Sequence, residues 1–172
     1  MVIAALHLHD RVNAADIESM EIRIDPYIVP GLLYKGPFSR VSETLMSTAF
    51  CAAAALRRGR LDLAELEAFT DQPILDLMGR ITVETDADIV FPACIIRARL
   101  RDGTVVEQVE PLTTQDYDLT RPQIIAQLER MAQHNDVAQS RIRMLADCVD
   151  RLPEADPRAL IQAFRREPAS PG

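Results

Sequence analysis

The sequence predicts an α+β fold: a two-layer arrangement in which a mostly antiparallel four-stranded sheet carries helices on one face, with extra C-terminal helices beyond it. Three observations lead there. Glu18 to Ile24 alternates, with Met20, Ile22 and Ile24 on one side and Ser19, Glu21 and Arg23 on the other, which is the period of a half-buried strand. Asp102-Gly103, suited to the positive backbone angles of a two-residue turn, sits between two further runs, Cys94–Arg101 and Thr104–Glu110. Elsewhere apolar residues recur at helical spacing behind recognisable caps.

Taken in order, residues 2–12 predict a helix with Val2, Ile3, Leu6 and Leu8 as its apolar positions and Asn13 at its end. Asp25-Pro26 stops the strand that follows. Residues 25–40 hold Pro26, Pro30, Gly31, Gly36 and Pro37, so a long irregular connection is expected, with a helical turn at Tyr27 to Leu33. Connections of that length inside a compact domain are commonly functional or poorly ordered. Ser39 or Ser42 is then placed to cap one helix running to Gly59, with Val41, Leu45, Ala49, Ala52, Ala53 and Leu56 along one face. Arg57 and Arg58 suit the negative end of its dipole, Gly59 supplies the left-handed residue that ends it, and Ala52 to Ala55 let another element approach closely.

Asp62 and Glu65 form a capping box that starts a short helix, and Asp71 with Pro73 starts another that ends near Gly79. Ile81 to Glu84 alternates as a strand, and Thr85 to Asp88 reads as a polar, acidic turn. In the two-residue-turn register, Leu100, Ala98 and Ile96 meet Val105, Glu107 and Val109 on one face. Arg97, Arg99 and Arg101 then share the other with Thr104, Val106 and Gln108. After Pro111 helices are expected to the end. Thr120 to Gln123 caps the first, with Ile124, Ile125, Leu128 and Met131 on one face. A second begins near Val137 and aligns Ile142, Leu145, Val149 and Leu152. Asp156-Pro157 caps a third, with Leu160, Ile161 and Phe164 apolar. Residues 1–166 are expected to form a single α+β domain and 167–172 a disordered Pro/Ser/Gly tail.

A chain of 172 residues is one domain's worth, able to bury roughly 70% of the surface its unfolded form exposes. The net charge of −7 argues against nucleic acid, whose phosphates call for a basic field. The apolar run at the N-terminus is too short to span a bilayer and lacks a basic flank, so no membrane contact or export is expected. Cys51, Cys94 and Cys148 are odd in number and lie in apolar or helical settings without metal-ligand spacing. They read as buried thiols of a reducing cytoplasm.

The richest chemistry lies in Lys35, Ser39, Arg40, Ser42, Glu43 and Ser47, around an expected helix start whose free N–H groups and positive dipole end favour a carboxylate or phosphate. The plainer alternative is that Ser39 or Ser42 only caps the helix, Lys35 and Arg40 are solvated, and Ser47 packs among its neighbours. His7 and His9 diverge by about 200° on a helix and do not readily share a metal there, so ordinary helix histidines are expected, and no metal is assigned. His134 sits at a helix end, near the last carbonyls. The Arg97, Arg99 and Arg101 ladder reads either as an anion surface or as a solvated sheet face or subunit contact, with Glu84 and Glu110 flanking. Glu84, Asp86 and Asp88 resemble a cation site only superficially. There is no glycine-rich phosphate loop, metal-spaced Cys/His set or nucleophile elbow, and no cofactor is expected.

The order of these features resembles the C-terminal domain of the MmgE/PrpD family, which includes 2-methylcitrate dehydratase, cis-aconitate decarboxylase and iminodisuccinate epimerase. The likeness rests on the polar lead into a small-residue helix, Ser42 to Gly59, then Asp62 to Phe69, Pro73 to Met78, Ile81 to Asp86, and the hairpin Cys94 to Glu110. Val2 to Leu8 resembles the family's Ala- and Leu-rich helix ahead of its first strand. The resemblance spans about residues 2–135 and implies an α+β lid-like domain whose Ser42 helix start faces the substrate cleft. It also implies that a Lys-containing segment and a His, which the family usually places just before that first helix, lie upstream of Met1. Cis-aconitate decarboxylases place a Tyr near the position of Ser42. A serine hydroxyl bonds a carboxylate oxygen but does not replace a phenol as an acid.

Three functional expectations follow. The first is a lid domain or split subunit of an MmgE/PrpD-type lyase or epimerase acting on small (poly)carboxylates, incomplete for catalysis alone. Its partner is a separate helical-domain subunit. The second is a non-catalytic module of the same fold that forms a homodimer or binds a helical partner. The third is a small independent enzyme using Ser42 and the two N-terminal histidines.

Overall fold

The computed structural model describes residues 1–27, 32–134, 137–152, 158 and 161. The helical turn expected at Tyr27 to Leu33, the third C-terminal helix and the tail lie largely outside the described residues. The chain divides into two compact units, Met1–Tyr117 and Asp118–Gly172.

In the first unit the elements are α1 (Val2–His9), β1 (Ile17–Ile24), α2 (Val41–Leu45), α3 (Thr48–Arg58), α4 (Leu63–Glu67), α5 (Gln72–Gly79), β2 (Ile81–Thr85), β3 (Cys94–Leu100) and β4 (Val105–Glu110). The α+β expectation holds: a four-stranded sheet of order β2-β1-β3-β4, antiparallel except where β1 runs parallel to β2. The parallel pair requires the crossover that α2 to α5 supply. Met20, Ile22 and Ile24 of β1, Ile81 of β2 and Cys94, Ile96 and Ala98 of β3 form one buried face, in a core shared with α1, α3 and α5. Ile17 joins them although it lies three residues before Met20, because the β1–β3 register shifts between Ile17 and Ser19 and the bulge returns Ile17 to the core side.

α3 is the centre of the helical layer, buried continuously from Thr48 to Leu56. Its alanines allow α1 to pack on it, and α1 contributes Ala4, Ala5 and Leu8 to the same core. That corrects the expected face of the first helix: Ile3 is exposed, because the alanine side gives the closer approach. The helix also ends at Asp10 rather than reaching Asn13, whose carboxamide caps a following 3-10 turn by accepting from the Ala15 N–H at 3.0 Å.

Two further expectations are corrected. The single helix up to Gly59 is two helices, broken at Met46, because the Thr48 N–H donates to Leu32 C=O and Leu33 bridges to Ser47. The hairpin has a three-residue loop. Gly103 N–H donates to Leu100 C=O and Leu100 N–H to Thr104 C=O, with Gly103 at φ +87°. Arg99 therefore pairs with Val105, Arg97 with Glu107 and Ile96 with Gln108. Adding one loop residue turns every β4 side chain to the opposite face from that predicted, so Val106, Gln108 and Glu110 lie on the core side.

The second unit contains α6 (Arg121–His134) and α7 (Gln139–Asp150), packed on each other. The Gln123 side chain accepts from the N–H and hydroxyl of Thr120, as its capping box predicts. Arg121 pairs with Asp150, tying the start of α6 to the end of α7. Among this unit's described residues Ala132 and Cys148 are buried, whereas Ile124, Met131, Val149 and Leu152, expected to face inward, are exposed. Among the described residues no helix is long and apolar enough to cross a membrane.

Candidate functional site

The loop before α2 is held from below by an aromatic chain. Tyr34 stacks edge-on against Phe38 at 5.4 Å, and Phe38 against the fully buried Phe50 of α3 at 5.1 Å. Edge-to-face packing of this kind fixes a loop that has few backbone bonds of its own. The Lys35 ammonium donates to Ile81 C=O at the start of β2. The six residues read from the sequence are thus carried on one segment, and the structure gives them different surroundings.

Neither Ser39 nor Ser42 caps a helix. Arg40 is the N-cap residue of α2, and the Glu43 carboxylate reaches back to accept from Ser39 N–H at 2.6 Å, from the Ser39 hydroxyl at 3.1 Å and from Arg40 N–H at 3.3 Å. This is the acidic half of a capping box, and Glu at the third helical position is what supplies it. The Ser39 backbone N–H, first among these donors, holds the Glu43 carboxyl below its ordinary value. Arg40 Nε lies 3.5 Å from the same carboxylate, with its side chain 74% exposed. Ser42 is exposed too.

Ser47 is the serine that caps a helix. Its buried hydroxyl accepts from Phe50 N–H at 3.2 Å and starts α3. Between the two helices Thr44 is fully buried, its hydroxyl donating to Leu66 C=O at 2.7 Å, so α2 is fastened to α4. Burial pushes the Cys51 thiol up to about 11, and it donates to Thr44 C=O at 3.2 Å, so it is an inert part of the core. Cys94 and Cys148 are buried and free as well. Leu33, Tyr34, Leu45 and Met46, which flank the polar cluster in sequence, are all exposed.

The two histidines of α1 are engaged separately. His9 Nδ1–H donates to Leu56 C=O at 2.7 Å, and its ring occupies the space beside Gly59. His7 Nδ1–H donates to the Glu110 carboxylate at 2.8 Å, with His7 half exposed and Glu110 nearly buried. The two-residue turn expected from the sequence placed Glu110 on the outer face; the observed three-residue loop and its ladder bring it to the core side. Arg97 pairs with Glu107 at 2.7 Å and Asp86 with Arg23 at 3.0 Å, so one member of the arginine ladder and one of the acidic turn are held in ion pairs, while Arg101 donates to Ala15 C=O. Among the described residues no group of three or more His, Cys, Asp or Glu could hold a metal ion.

No curated protein matches the sequence. The profile of the MmgE/PrpD C-terminal domain matches residues 1–151, which is most of the chain and takes in the strands, the alanine helix and the loop that carries the polar cluster. The chain belongs to the MmgE/PrpD family, by its C-terminal domain.

Proposed function

We propose that this chain is the substrate-covering, lid part of an enzyme that acts on small (poly)carboxylates by eliminating, decarboxylating or epimerising beside a carboxylate. The groups that move the proton come from outside this domain, from a helical companion. The observation that carries the reading is the exposure of Arg40 and Ser42 on a segment whose Leu33, Tyr34, Leu45 and Met46 are also exposed. Cationic and hydroxyl donors suit a carboxylate, and exposed apolar neighbours suit a face that another domain covers. In this reading Arg40 and Ser42 contact the substrate. Lys35, Ser39, Glu43 and Ser47 shape the segment through the bonds described above.

The reading is tested by assaying the chain with and without the companion domain on 2-methylcitrate, cis-aconitate and related acids. Turnover is expected only with both present. Arg40→Ala should then lower kcat/KM by roughly tenfold to a hundredfold, the loss of one charge-assisted hydrogen bond, with Arg40→Lys recovering part of it. Efficient turnover by this chain alone would sink the reading. A second reading, a non-catalytic homodimer, is favoured by the open outer face of the sheet, where Val105 and Val109 stand exposed beside the Arg97–Glu107 pair. An inactive, stable dimer that binds no companion would support it.

A further inference from the structure

Both outer strands of the sheet, β2 and β4, carry a cation on an outward carbonyl. In β4 the Leu100 N–H to Thr104 C=O bond sets the phase of the ladder. Val106, Gln108 and Glu110 therefore exchange bonds with β3, while the N–H and C=O groups of Val105, Glu107 and Val109 point away from it. The Arg11 guanidinium, at the end of α1, donates to Glu107 C=O at 3.1 Å and to the Gln108 side-chain oxygen at 2.8 Å. The Gln108 amide donates in turn to Val109 C=O at 3.2 Å. In β2, Met20 N–H bonds Arg80 C=O and Asp86 N–H bonds Ile24 C=O, which turns Ile81, Val83 and Thr85 outward, and Lys35 takes the Ile81 carbonyl.

We propose that Arg11, through Gln108, is a gatekeeper that denies the β4 edge to a second copy of this chain. An uncovered β4 is a good template. It is β-branched, with Val105 and Val109 about half exposed. Its outward-bonding residues Val105 and Val109 are symmetric about Glu107, so a two-fold antiparallel pairing sets Val105 against the partner's Val109 and continues the sheet across two copies. Each Glu107 in such a pair already has Arg97 beside it, which offsets the like charges. β2 is shorter and is blocked at its first residue by Lys35, so β4 is the edge where removing the cover matters. The inference concerns assembly alone and does not rest on the proposed enzymatic role.

Sedimentation over a concentration series tests it, with the full chain and Arg11→Ala. The variant is expected to gain a species twice the parent's mass, with an association constant at least about tenfold higher, the effect of restoring one or two net backbone hydrogen bonds. Amide exchange should slow at Val105, Glu107 and Val109 in that species. Glu107→Pro on the Arg11→Ala background removes an outward N–H without touching the β3 ladder and should return the parent's behaviour. Gln108→Ala, a milder surface change, should show the same species at higher concentration, and it decides the matter if Arg11→Ala fails to fold. Identical sedimentation for the folded variants and the parent, or new mass without slowed exchange along β4, overturns the proposal.

Discussion

α2 and α3 adjoin in sequence and carry one continuous helical pattern, yet they have opposite fates. α3 is enclosed from Thr48 to Leu56, with side chains that are small or fully packed. α2 buries only Thr44 and leaves Ser42, Leu45 and Met46 outside. The boundary is Ser47, which faces both ways: its hydroxyl starts α3, and its backbone bridges to Leu33 of the incoming loop. The contrast assigns two tasks to one stretch of chain. α3 organises the core, and α2 with its lead-in leaves side chains exposed.

The strongest way to break the comparison is to hollow the α3 side. Phe50→Ala removes a fully buried ring that packs in the core and also supports Phe38 in the loop. We expect a loss of about 3–5 kcal/mol, read from urea unfolding, together with looser packing of the loop. Gly59→Ala comes next. A methyl group there would stand 2.6 Å from His9 Nε2, and the residue sits at φ +66°. The strain of about 1–2 kcal/mol adds to loss of the His9 to Leu56 bond, worth about 1 kcal/mol, so a total near 2–3 kcal/mol is expected in the same measurement. If Gly59→Ala were neutral, the docking of α1 on α3 through His9 would not be what fixes that end of the helix.

How much of this was legible in the sequence depends on range. Gly59, the Asp62–Glu65 capping box and the Pro73 start were readable because each is decided by bonds within a few residues, and β1 because its two faces are written in its own alternation although its ladder partners are distant. The break at Met46 was not, since it depends on Leu32 and Leu33 returning to Thr48 and Ser47 from across a proline-rich loop. The hairpin failed by a single residue. Asp102-Gly103 fits either a two-residue turn or the last two positions of a three-residue loop, and only the ladder distinguishes them. That one residue also concealed Glu110 beneath His7. Of the proposed site, Arg40 and Ser42 stand out in the sequence by residue type, and the structure leaves both exposed. The roles of Ser47 as cap and Glu43 as acceptor emerged only once the helix was seen to be two.

The smallest expected effect sharpens the contrast instead of breaking it. α2 rests on α4 through Thr44, and α4 is started by Glu65, whose carboxylate accepts from Asp62 N–H at 3.0 Å and from Arg60 at 2.8 Å. Burial pushes the Glu65 carboxyl up, but the Arg60 and Asp62 bonds outweigh it and hold the group below its ordinary 4.5. A depressed folded value means that the stabilisation is complete above pH 4.5 and is lost as the pH falls through the lower, folded value. Arg60 is more than half exposed, so water screens the pair and the loss should stay under about 1 kcal/mol. Acidification should therefore open amides of α4 and α2 to exchange before those of α3, and Glu65→Gln should flatten that difference because its amide oxygen still accepts but does not titrate in this range. Equal opening of α2 and α3 with acid would mean that the two helices are one cooperative unit after all, and that the division at Ser47 is geometric without being energetic.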